Sequence, residues 1–358
     1  MRPTGASRAA RCLTTVGLLV LTCLIVPATP ATATFDGENG RIVFRRFTDA
    51  EQTTGALFSA RPDGSGERQI TYPPEGVHDR SPDVSPDGRR IVFQRSGPTQ
   101  DDIFVVNADG TGLRQLTSRS HPEGNCLPLS GVCNFTPAWS PSGRHIVFSR
   151  AFGPVEDDLV ETLAVFMMRA DGTHLRQLTQ LRPPASGATG EDLEPQLSPD
   201  GTKVVFRREN VRAARPVDGV AVWVLDLRTG RERRVTPYRM GAGDTPDWSP
   251  DGRRIVFTDH VFDTETNANV YTVRPDGRHL RQLTFADDGI TRYLATSFSP
   301  DGRWITVGKR PSTGGPELNA ADVAIMRRDG TDERLVTRTE APDSYPDWGP
   351  RVRSRHVR

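Results

Sequence analysis

The chain has 358 residues, 35% of them hydrophobic and 25% charged, with Gly 33, Pro 29 and a formal net charge of +1. That length allows one large domain or two ordinary ones, and the balanced charge excludes a whole-protein field of the kind that gathers nucleic acid. Many Gly and Pro between short apolar runs favour strands and turns over long helices.

Residues 1–33 read as an export signal. Arg2, Arg8 and Arg11 form a positive start with no acid, the stretch from Cys12 to Val26 is almost wholly apolar, and Ala31-Thr32-Ala33 fits a signal-peptidase site. The apolar run is shorter than the roughly 20 residues of a membrane span, and no later stretch approaches that length. A secreted or cell-envelope-associated product with no transmembrane segment is therefore expected. Without Arg2, Arg8 and Arg11, 43 basic residues face 45 acidic ones. Cys126 and Cys133 are the cysteines that remain, and in an oxidising compartment a local disulfide is expected. It would contribute roughly 2–3 kcal/mol at most. A metal or redox pair is disfavoured, because the spacing is not C-x-x-C and no clustered His accompanies it.

From residue 34 the sequence repeats itself. Ser85-Pro86-Asp87-Gly88 precedes Ile91-Val92-Phe93, and the phrase returns at Ser140-Pro141-Ser142-Gly143, Ser198-Pro199-Asp200-Gly201, Ser249-Pro250-Asp251-Gly252 and Ser299-Pro300-Asp301-Gly302. Each is followed by a β-rich run, an Asp-Gly turn and R-Q-L-T or a variant, closing on Thr117, Thr179, Thr236, Thr284 and Thr337, and the same closing threonine stands ahead of the first phrase at Thr71. Six units spaced by 46 to 62 residues have the size of a propeller blade. Each unit reads as four short strands joined by tight turns, in which Pro fixes φ and Gly or Asp takes the special positions. The strands are apolar on both faces, as blades stacked on their neighbours require.

Pro82, Pro137, Pro195, Pro246 and Pro346 recur in the first strand of their units. Proline cannot serve a central ladder, so that strand is predicted to be an edge, the innermost of its blade. The first unit, starting at Asn39-Gly40-Arg41-Ile42, lacks this strand, and Ser344-Tyr345-Pro346-Asp347-Trp348-Gly349 is a spare copy at the end. The expectation is an all-β, six-bladed β-propeller over residues 34–350, its ring closed by the C-terminal strand completing the first blade. A basic tail follows at 351–358.

The S-P-D-G-R-R-I-V-F and A-D-G-T-x-L-R-Q-L-T phrases resemble the PD40, or WD40-like, repeats of TolB-type six-bladed propellers, over nearly the whole chain after the leader. The resemblance implies the fold. It is not specific for activity, since the same repeats occur in TolB, a periplasmic partner-binding protein, and in propellers attached to prolyl-oligopeptidase-like hydrolases. No G-x-S-x-G nucleophile elbow is present in the 358 residues.

Alternating strand direction sends the short S-P-D-G and D-G-T turns to one face and the long connections to the other. Variable loops on a rigid ring are the usual arrangement for recognition. Asp79, Asp192, Asp244 and Asp343, just before the innermost strands, could ring the channel mouth on that face, together with His78, His121 and His260. Hard oxygens there would suit Ca²⁺ and the histidines a transition metal. The blander reading, Asp capping turns and strand entries, is preferred because no D-x-D-x-D-G loop is present. His174 and His279 occupy equivalent turn positions and belong to the repeat.

The function expected is thus a monomeric, non-catalytic binding or scaffold propeller. It would recognise a protein or cell-envelope polymer through the long-loop face, with no cofactor and no nucleic acid. The alternative is a metal-assisted polysaccharide lyase or hydrolase acting at the channel mouth.

Overall fold

Tight turns and short strands dominate the computed structural model. It describes residues 37–98, 100–117, 133–152, 162–180, 190–210, 219–241, 243–259, 267–289, 291–311 and 321–352. Among them there is no α-helix, only strands and one 3₁₀ turn at Tyr238–Met240.

The strands fall into sets of four. β1 (Asn39–Phe47), β2 (Gly55–Ala60) and β3 (Arg68–Gln69) form the first set with β24 (Asp343–Pro350). β4 (His78–Val84), β5 (Arg90–Gly97), β6 (Gln100–Asn107) and β7 (Arg114–Gln115) form the second. The third holds β8 (Cys133–Trp139), β9 (His145–Phe152), β10 (Thr162–Arg169) and β11 (Arg176–Gln177). The fourth is β12 (Gly190–Leu197), β13 (Lys203–Asn210), β14 (Val220–Asp226) and β15 (Glu232–Arg234). β16 (Asp244–Trp248), β17 (Ile255–Thr258), β18 (Val270–Val273) and β19 (Arg281–Gln282) make the fifth. β20 (Thr291–Phe298), β21 (Trp304–Pro311), β22 (Asp322–Arg327) and β23 (Arg334–Leu335) make the sixth. Within each set the pairing is antiparallel, and a single parallel pairing of Gly55 with His78 links the first set to the second. β24 lies beside β1 with Ile42 opposite Trp348. The arrangement is that of a propeller-type fold.

Strands this short bury little within their own sheet, so the core lies between sheets. Val92, Ile103 and Val105 pack on Trp139, Phe148 and Phe166 of the next set. Val205 and Val222 likewise pack on Trp248 and Phe257. One such cluster joins Ile42, Phe44 and Trp348 of the first set to Val323 and Ile325 of the sixth.

Two repeat residues fix this stacking. The closing threonine accepts, through Oγ1, the N–H of a third-strand residue: Thr71 from Leu57 and Thr117 from Ile103 at 2.9 Å, Thr179 from Val165 at 3.0 Å. Gly64, Gly110, Gly172, Gly277 and Gly330, the turn glycines between third and fourth strands, each abut a carbonyl of the neighbouring set. Gly110, at φ +91°, leaves only 2.7 Å between a notional Cβ and the Ile70 carbonyl oxygen, so both conformation and space require glycine.

Candidate functional site

The innermost strands all bend at the same place. Ser81, Thr136, Glu194, Thr245, Ala295 and Tyr345 have φ between +43° and +55°, and each lies within a register shift of its ladder. A left-handed conformation costs a non-glycine residue roughly 1–2 kcal/mol. Six repetitions mark a bulge that re-aims side chains toward the axis. Proline follows in five of the six, and all six bulge residues line one cavity of about 500 Å³ counting its open ends. In β20 the proline is replaced by Thr296, whose N–H donates to Thr245 Oγ1 at 2.8 Å.

The residue after that proline is Asp83, Asp247 or Asp347 in β4, β16 and β24; Asp83 and Asp247 are buried and Asp347 is partly buried. Their carboxylates accept backbone N–H groups of adjacent inner strands at 2.8 Å: Asp347 from Val84, Asp83 from Trp139, Asp247 from Phe298. Ser297 Oγ also donates to Asp347, and Gln196 Nε2 reaches Asp83. Burial pushes Asp247 up to about 7, its neighbour Asp347 adding to the rise. Burial raises Asp83 and Asp347 as well. These axial carboxylates are not among the candidates from sequence. The signal was the Pro-Asp pair inside the predicted edge strand.

The predicted acids take different positions. Asp79, Asp192 and Asp343 are fully buried, each in a two-pronged ion pair with an arginine on the next strand. Arg95 meets Asp79, Arg208 meets Asp192, and Arg46 meets Asp343, with N–O distances of 2.6–2.8 Å. The guanidinium of Arg95 also stacks on Phe93 and Phe104, and that of Arg208 on Phe206 and Trp223. Asn134 takes the acid's place against Arg150 at 2.7 Å. This Asp–Arg–Phe unit repeats from set to set, and the partner of each predicted acid was the Arg of F-x-R in the following strand.

Asp244 differs, because its neighbour is Glu194. Burial raises Glu194 to about 8; Arg207 opposes the rise and Asp244 adds to it. Asp244 and Asp343 both line a second cavity, of about 900 Å³ counting its open mouth, where the inner strands begin. His78 is half-buried on the same face, edge-on to Phe47 at 5.6 Å. Burial, then Arg45 and Arg80, hold its pKa down, against a smaller opposing pull from Asp49 and Asp101. Among the described residues no three His, Cys, Asp or Glu are grouped as a metal ion needs. His121, His260 and Cys126 lie outside the described residues; Cys133 is buried at the start of β8.

No family model matches the chain. Over 115 residues, 32% of its length, it is 31% identical to an uncharacterized peptidase, YuxL, of Bacillus subtilis, covering 16% of that protein. A TolB homolog of Chlorobium luteolum is 27% identical over 221 residues, 62% of this chain and 42% of its own. The crystal structure of TolB from Acinetobacter baumannii superposes with a TM-score of 0.63 at 19% identity, covering 87% of this chain and 67% of that one. The fold is that of a TolB-like propeller. The chain spans less than half the length of these two curated relatives. In this TolB-like propeller no described helix is long and apolar enough to cross a membrane.

Proposed function

We propose that the chain is an exported, non-catalytic six-bladed propeller, its ring closed by β24 completing the first blade. It would recognise a protein or cell-envelope polymer through the long-loop face. Closure is supported by the pairing of β24 with β1 and by the cluster joining the first and sixth sets. Export is supported by the leader-like residues 1–33, and a Cys126–Cys133 bond by the oxidising compartment that export implies.

The observation that carries the recognition reading is the exposure of two aromatic side chains in the long connections between units. Tyr72 and Phe285 directly follow the closing threonines of two blades and stand 77% and 73% exposed. Aromatic side chains are enriched where protein surfaces meet a partner. The test compares recovery of envelope proteins and glycans on immobilised wild type with that on a Tyr72→Asp/Phe285→Asp variant. Selective binding should be lost in the variant. Equal recovery on both, or robust turnover of peptide or glycan substrates by the purified protein, counts against the reading.

A further inference from the structure

The mouth cavity holds an arginine with nothing to bind. Arg45, near the end of β1, makes no hydrogen bond or ion pair with any described residue, and its buried Nε has no partner. Its guanidinium lies over two aromatic rings, 4.4 Å from the centre of Phe47 and 5.1 Å from that of Tyr345. Gly55 makes the space: a Cβ there would stand 3.2 Å from Arg45 Cδ and 3.4 Å from His78 Nδ1. Ser344, on the same cavity wall, has a buried Oγ with no partner either. Arg310 lines the wall too. Burial lowers the Arg45 pKa; Tyr345 opposes the fall, and the positive charges of Arg80 and Arg310 add to it.

Buried donors left without acceptors cost about 1–3 kcal/mol each, more when charged. Native structures hold few such groups, and each calls for a completing water, ion or ligand. The acids that share the cavity are already engaged: Asp343 with Arg46, and Glu194 with Asp244, Arg207 and the N–H of Thr245. What the cavity lacks is an acceptor of negative charge beside Arg45.

We propose that Arg45, Ser344 and Arg310 form an oxyanion subsite that takes a carboxylate or phosphate group of the bound partner. A planar guanidinium can meet either group with two parallel hydrogen bonds, and a neighbouring hydroxyl adds a third. Phe47, Tyr345 and Leu294 supply an apolar wall for whatever carries the anion. The subsite deepens the recognition reading by giving the chemistry of the ligand, yet it can be tested with no partner at all.

Calorimetric titration of the purified chain would use two probes, sodium phosphate and acetyl-pentaglycine with a free C-terminal carboxylate. Amidated acetyl-pentaglycine and sodium chloride at matched ionic strength are the controls. Saturable binding of at least one oxyanion probe is expected, with Kd on the order of 1 mM, and none of the controls. Arg45→Gln should weaken it at least tenfold. Arg310→Gln, on another strand, should weaken it severalfold and keeps the question answerable if the first variant misfolds. Phosphate alone or carboxylate alone would identify the source of the anion. No saturation by either probe, or unchanged affinity in both variants, overturns the subsite. Probe binding that survives while partner recovery proves independent of Tyr72 and Phe285 would leave the subsite standing and remove the recognition reading.

Discussion

Arg46 and Asp343 are 297 positions apart, yet Nε and Nη2 of the one donate to both oxygens of the other at 2.7 and 2.8 Å. The pair ties the first strand to the last, and Glu67 adds a second carboxylate to the same guanidinium. Burial works against the Arg46 charge, but the bonds to Asp343 and Glu67 outweigh it and raise the pKa above the ordinary value. Asp343→Ala leaves a largely buried cation short of its main partner. The expected cost is roughly 3–5 kcal/mol, a fall in Tm on the order of 5–10 °C. Arg46→Met with Asp343→Leu should lose less than Asp343→Ala alone, because no charge is stranded. Thermal unfolding of the three proteins decides it.

Stability should fall as pH rises through neutrality. Glu194 at about 8 and Asp247 at about 7 are carboxyls held above their unfolded values. The folded state therefore binds more protons than the unfolded one between about pH 4 and pH 8. Their contribution is complete below the unfolded pKa and is lost as pH climbs through the folded one. Tm should decline from about pH 5 to pH 9, and Asp247→Asn should flatten that decline because Asn cannot ionise. Its Oδ1 can still accept the Phe298 N–H. An unchanged slope in the variant would remove Asp247 as a source of the effect.

How much of this was legible follows from what repetition encodes. The S-P-D-G and R-Q-L-T phrases mark strand order and turns, because those positions need the same backbone in every copy. The proline of the edge strand pointed to the axis, where Pro82, Pro137, Pro195, Pro246 and Pro346 now line one cavity. The bulge before each proline was not legible, since a register shift adds no residue type of its own. For that reason Asp83 and Asp347 escaped notice while Asp79 and Asp343, a few positions earlier, were offered for the mouth. Arg45 and Arg46 look alike in sequence. Only their strand neighbours separate a paired structural arginine from an unpaired one.

The closing threonines give a cleaner test of the repeat. Thr179 is fully buried and its Oγ1 accepts the Val165 N–H at 3.0 Å. Thr179→Val keeps the shape but strands that donor, at a cost of about 1–3 kcal/mol. Thr179→Ser keeps the acceptor and should lose appreciably less. Urea unfolding of both variants distinguishes a hydrogen-bonding role from simple packing, which would rank them the other way.

The C-terminal strand offers the last test. A chain ending at Glu340 loses β24 and with it the acceptor of the Val84 N–H, the partner of Arg46 and the Trp348 side chain of the first–sixth cluster. It also leaves the Ile42 to Arg46 edge of β1 without its neighbour. An unpaired strand edge flanked by apolar side chains is a template for intermolecular pairing. The truncated protein should melt well below the full chain and run as aggregates in size-exclusion chromatography. A monomer with an unchanged Tm would mean that β24 is dispensable and that the first set is stable with three strands.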